Sequence, residues 1–116
     1  MHLLKKWGAV SYDDALKCSA MNGHIQAMHL AKEWGAAGYN DALEYASVNG
    51  QISAMHLSKE WEATDYDQAL TTAAECGQIQ AMRLLKEWGA TAYNDALLYG
   101  SQCTEVVELL QSWMNK

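Results

Sequence analysis

From Ala42 the chain places small or apolar side chains at i, i+1, i+4 and i+5, as Ala42, Leu43, Ala46 and Ser47, a stripe along one side of a helix. A second helical stripe, helix B to the first one's helix A, is carried by Ile25, Met28, Leu30, Ala31 and Trp34. Both patterns return at a fixed interval: Tyr12, Tyr39, Tyr66 and Tyr93 step by 27 residues, and so do Trp7, Trp34, Trp61 and Trp88. β-branched residues nowhere alternate with polar ones over four or more positions and proline is absent, so the fold class is all-α. The units divide a single repeat domain into a partial first unit, 1–11, full units at 12–38, 39–65 and 66–92, and a shortened C-terminal unit, 93–116. Such units cannot hide their apolar face alone and must stack, which predicts an α-solenoid of antiparallel helix pairs.

Helix boundaries follow from the residues between the stripes. Asp13, Asn40, Asp67 and Asn94 stand at the start of helix A, where their side chains can accept bonds from the free N–H groups of a first turn. Gly23, Gly50 and Gly77 end helix A, and Gly35 and Gly89 end helix B, supplying the left-handed residue that closes a helix. Glu62 occupies the position of Gly35 and Gly89 and is predicted to take the same backbone under strain. The last unit lacks two residues around the Asn-Gly position, which predicts a tighter or reoriented join between its helices.

The stretch "ALEYASVNGQISAMHLSKEW" and its neighbours resemble the helical part of ankyrin repeats: an apolar-Ala-Ala first helix, Asn-Gly, an amphipathic second helix and a closing Gly-Ala. The likeness covers nearly the whole chain and is closest over 22–36, "NGHIQAMHLAKEWGA". Tandem units ending in "KEWGA" are similar to ankyrin-like arrays of giant DNA viruses, which implies the host cytoplasm if the source is viral. The chain departs from that family in unit length. Its units fall short of the ankyrin repeat between Ala36 and the next helix A, where the projecting β-hairpin would lie, and "AGYND" has room only for a turn. The resemblance therefore implies partner binding without hairpin fingers, along the concave row of A helices.

Charge and composition narrow the partners. Asp and Glu number 14 against 8 Lys and Arg, a formal charge of −6 that repels phosphate backbones, so nucleic acid is not expected. No apolar run is long enough to span a bilayer and no leader precedes a cleavage site, so no membrane role is expected and the predicted location is cytoplasmic. Three cysteines without tight spacing read as reduced thiols.

Side chains with chemical potential fall into structural columns. The tryptophans, with Trp113 in the shifted position, read as core, and the tyrosines as lids over the seams between units. His2, His29 and His56 share one column with Arg83, but equivalent positions on stacked helices lie about 8–10 Å apart, too far for ligands that must converge at about 2 Å on zinc. They read as solvated groups on the outer face, and His24 as a polar cap. Cys76 and Cys103 are separated by the same stacking distance and are not expected to form a disulfide. Asp13, Asp14, Asp41, Asp67 and Asp95 suit the positive end of helix A. The pairs Lys32-Glu33, Lys59-Glu60 and Lys86-Glu87 read as a balanced, solvated surface. No phosphate loop, catalytic triad or Cys-His arrangement is present, so no catalytic residue, cofactor or metal is expected.

Variation between units singles out one face. On helix A it concentrates at Lys17, Cys18 and Met21, at Glu44, Tyr45 and Val48, at Thr71, Thr72 and Glu75, and at Leu98, Tyr99 and Gln102. The i, i+1, i+4 spacing puts these on one side of each helix, with aromatic and apolar groups suited to a protein interface. The expected function is non-catalytic binding of a protein partner along this face. The alternative is a structural, self-assembling module: "MHLLKKWGA" supplies most of a helix B without its helix A, so that Leu3, Leu4 and Trp7 are covered by a second copy, belong to a longer array, or pack against the second unit alone.

Overall fold

The computed structural model describes residues 12–115, and these form eight helices with no strand among them. In chain order they are α1 (Tyr12–Asn22), α2 (Ile25–Glu33), α3 (Tyr39–Val48), α4 (Ile52–Glu60), α5 (Tyr66–Glu75), α6 (Ile79–Glu87), α7 (Tyr93–Tyr99) and α8 (Thr104–Met114). Odd-numbered helices are the A helices and even-numbered ones the B helices. Each A helix packs on the B helix that follows it and on the next A helix, whereas successive B helices stay farther apart. The units are therefore wedges, narrow along the A row, and the molecule is elongated, 52 × 24 × 18 Å, instead of closing into one bundle.

Close approach along the A row follows from side-chain size. Ala42, Ala46, Ala69, Ala73, Ala74 and Ala96 are completely buried and hold the backbones together, while Leu16, Leu43 and Leu70 fill the space towards Met28, Met55 and Met82. Burial of each such Leu or Met contributes about 1.5–3 kcal/mol, and truncating one, as in Leu70→Ala, costs about 2–5 kcal/mol. Serine enters the same columns because its hydroxyl is satisfied within its own helix. Ser47 Oγ donates to Leu43 O at 2.8 Å and Ser58 Oγ to Ala54 O at 2.9 Å, both fully buried. Leu30 departs from the predicted core stripe and is 38% exposed. Its counterparts in the next two units are more covered, Leu57 being buried and Leu84 half-buried against the core, so the exposure belongs to this unit and not to the column.

Six helix ends are closed in one way. After α2, the Gly35 N–H donates to Lys32 O and the Ala36 N–H to Ala31 O, the paired bonds of a Schellman motif. The same pair closes α4 through Glu62 and Ala63, at 2.9 and 3.0 Å, with Glu62 at φ +76°. The left-handed conformation expected of Glu62 is thus present. At Gly50 a second constraint is added: a Cβ there would lie 2.6 Å from Oε1 of Gln78, whose Nε2 donates to Val48 O at 3.0 Å. The turn after α3 is glycine because the next unit's glutamine amide lies against it. In the last unit the expected tighter join is not found: the missing residues come out of the helix, α7 having 7 residues, and the segment 100–103 joins it to α8. α7 ends at Gly100, and the Cys103 N–H bonds back to Gly100 O before α8 begins.

One boundary reading is corrected. Asp13, Asn40 and Asp67 lie inside the first turn of their helices and bond the loop that leads into the next A helix. Asp13 Oδ1 accepts from the N–H groups of Ala37 and Gly38 at 2.8 and 3.2 Å. Asn40 does the same with Thr64 and Asp65, and Asp67 with Thr91 and Ala92. The loop has no repeating structure of its own to satisfy these donors, so the preceding A helix supplies the acceptor.

Candidate functional site

Eleven of the twelve residues on the variable face lie on A helices; Gln102, expected on the last of them, lies beyond the end of α7 in the turn before α8. Glu44, Tyr45 and Val48 from α3, Thr71, Thr72 and Glu75 from α5, and Leu98 and Tyr99 from α7 line one concavity of about 630 Å³. Lys17 joins it from α1, its Nζ 5.4 Å from the centre of the Tyr45 ring. Cys18 is exposed, and Met21 is half-buried with its carbonyl accepting a bond from Asn49 Nδ2. Gln102 lines a neighbouring hollow of about 370 Å³ with Cys76, Cys103 and Tyr99. Thr72 is a correction to the surface reading. It is only 7% exposed, a short side chain on α5 between α3 and α7, at the floor of the groove beside Glu44. Gln68, Cys76 and Asp95 also line the groove and were missed by sequence variation. Gln68 and Asp95 stand three residues before Thr71 and Leu98, so extending the i, i+1, i+4 face by one turn finds them.

Leu98 and Tyr99 are the most exposed large apolar side chains among the described residues, at 69% and 55%. Around them the charge is of one sign. α3, α5 and α7 carry Asp41, Glu44, Asp67, Glu75 and Asp95 and contain no Lys, Arg or His. The cation at the groove's far end, Lys17, is held 3.2 Å from Asp14 Oδ1, and that bond raises its pKa. Burial, with Asp41 and Asp65 nearby, pushes the Glu44 carboxyl above its ordinary value, against the pull of the Thr72 hydroxyl and Lys17. Burial, helped by Glu75, raises the Cys76 thiol, the opposite of an activated nucleophile.

The opposite side of the molecule gathers the cations on tryptophan. Trp34, Trp61 and Trp88 occupy the C-cap positions of α2, α4 and α6 and are half-buried, at the rim of the seam instead of in the core as their sequence suggests. Each tyrosine stacks on the tryptophan of its own unit, with ring centres 5.6 Å apart for Tyr39 and Trp61 and 5.8 Å for Tyr66 and Trp88. The preceding unit adds a histidine edge and an ammonium: His56 lies 5.3 Å from Trp88, and Lys59 Nζ lies 5.5 Å from it. His29, His56 and the lysines of the Lys-Glu pairs are thus part of the unit-to-unit contact, beyond the solvated surface expected of them. Trp113 repeats the arrangement with Tyr93 and Lys86 despite the shortened last unit.

Among the described residues, no group of His, Cys, Asp and Glu side chains is arranged to hold a metal ion, the three thiols are free, and no helix is long and apolar enough to cross a membrane. Leu3, Leu4 and Trp7, the expected self-assembly contacts, and His2 lie outside the described residues. Comparison with protein-family models, curated proteins and solved structures returned no match.

Proposed function

We propose that the chain is an ankyrin-like solenoid without hairpin fingers and that it acts as a non-catalytic binding module, holding a protein partner along the concave row of A helices. One observation carries this reading. Eight of the twelve side chains at the most variable positions line one groove, and that groove contains the most exposed large apolar groups among the described residues, Leu98 and Tyr99. Variation that is widest on one face, over supporting columns that stay small or apolar, is the pattern of a scaffold that keeps its packing while its contact surface changes. Partly exposed aromatics are the residue type that anchors protein interfaces. The test is replacement of Tyr45 and Tyr99 together by Ala, followed by capture of the native partner from its own cell. Binding should fall while helical circular dichroism stays constant, and full retention of binding counts against this face.

A further inference from the structure

We propose that the partner segment held in the A-row groove is cationic and apolar at once: a peptide stretch in which Lys or Arg side chains alternate with large apolar ones. This rests on the A row being the binding face and adds the chemistry of what it binds. The groove is lined by the carboxylates Glu44, Glu75 and Asp95, interleaved with Tyr45, Val48, Leu98 and Tyr99. Asp41 on α3 and Asp67 on α5 add to the same sign, and these three A helices bring no cation of their own.

The missing cations have a place elsewhere in the fold. Lys32, Lys59 and Lys86 lie on B helices, each with its ammonium 5.5 Å from the tryptophan ring of the following unit. The B helices thus pair their cations with carboxylates of their own, Glu33, Glu60 and Glu87 standing next to these lysines, whereas the carboxylates of α3, α5 and α7 have no cation on the same helices. With a screening length of about 8 Å at physiological salt, carboxylates along one groove act together on a partner that touches them, and less strongly on lysines on the other side. Glu44 lines the groove at its centre, where like charges outnumber cations. It is half-buried, with Asp41 and Asp65 as like charges nearby, and among the described residues the cation acting on it is Lys17, itself bonded to Asp14. A guanidinium or ammonium entering beside Glu44 would offset that crowding, while a second carboxylate would add to it. Leu98 and Tyr99 require the same segment to present apolar area, which sets it apart from a bare polyamine.

The test uses a displayed library of random dodecapeptides selected on the whole chain. Lys and Arg should be enriched over Asp and Glu in the selected pool. A representative peptide should lose about tenfold or more in affinity when Glu44→Lys, Glu75→Lys and Asp95→Lys are combined, and should weaken as well in Leu98→Ala/Tyr99→Ala. The neutral set Glu44→Gln, Glu75→Gln and Asp95→Asn serves if the reversed set loses its helical circular dichroism, and should show a smaller loss in the same direction. A neutral or acidic pool that still depends on Leu98 and Tyr99 overturns the cationic partner and leaves the A-row reading standing. A pool indifferent to both sets of substitutions, or no enrichment at all, overturns both. Occlusion of Leu98 and Tyr99 by a second copy in sedimentation at the selection concentration also overturns the proposal.

Discussion

Asp67 Oδ1 accepts two backbone N–H groups at once, from Thr91 at 2.7 Å and from Ala92 at 3.2 Å, and so fixes the entry of the chain into α7. Asn40 makes the equivalent pair with Thr64 and Asp65 at 2.8 and 3.1 Å, which shows that the acceptor matters more than its charge. Asp67→Ala should therefore cost about 1–2 kcal/mol. Asp67→Asn should cost no more than about 0.5 kcal/mol, the loss of a carboxylate near a helix N-terminus. Urea unfolding of both variants checks this; equal destabilisation by Ala and Asn would mean the charge, and not the paired bonds, holds the loop.

Lys59 and Trp88 belong to adjacent units, and the ammonium lies 5.5 Å from the ring centre. Lys59→Gln should lose about 0.5–1 kcal/mol, the range for an exposed cation over an aromatic face. Trp88→Ala removes the platform for Tyr66, His56 and Lys59 together, and because the ring is half-buried it should fall near the low end of the Trp→Ala range, about 3 kcal/mol. In the double variant the Lys59 change should cost little further. If the two losses add in full, the ammonium is not stabilised by the ring.

These contacts mark the boundary of what the sequence alone discloses. Helix identity, the glycine-closed ends and the Ala, Leu and Met columns are local: each follows from spacing within one unit, and the structure places Leu43, Ala46 and Ser47 inside as the stripe requires. Asp13, Asn40 and Asp67 were assigned to their own first turns because that is the nearest set of free donors. Their actual partners lie 24 and 25 residues onward, a distance that only stacking closes. Lys32 stands two residues before Trp34 in sequence, yet the ring it meets is Trp61 of the next unit. Variation between units picks out eight residues that line the groove, and Thr72 is among them although it is buried, because a short side chain on α5 is covered from α3 and α7.

Glu62 holds a backbone conformation that its counterparts Gly35 and Gly89 hold without a side chain, at φ +76° against +112° and +108°. Both Schellman bonds form around it, so the motif overrides the local preference at a cost of about 1 kcal/mol. Glu62→Gly should return that amount, less the greater freedom glycine gains in the unfolded chain, and the melting temperature should rise by a few degrees. Glu62→Ala keeps the Cβ and should bring no such rise. A melting temperature for Glu62→Gly at or below that of the parent would show that this turn is not strained.

The sign of Glu44's effect on stability follows from its surroundings. Burial and the neighbouring Asp41 and Asp65 raise its pKa in the folded chain, outweighing the Thr72 bond and Lys17. Unfolded, the carboxyl titrates near its ordinary value of about 4.3. Between those two points the folded state binds more proton, so this residue's contribution is fully present below the unfolded pKa and is lost as pH rises through the folded one. Glu44→Gln removes the titration while keeping an acceptor for the Thr72 hydroxyl. The variant should melt above the parent at about pH 7, where the parent carries the crowded charge, and the gap should close at about pH 3, where both side chains are neutral. The remaining carboxylates titrate in both proteins and cancel in the difference. A gap that persists unchanged at low pH would assign the gain to packing, and a variant less stable at neutral pH would mean that the Glu44 charge is stabilised in its groove.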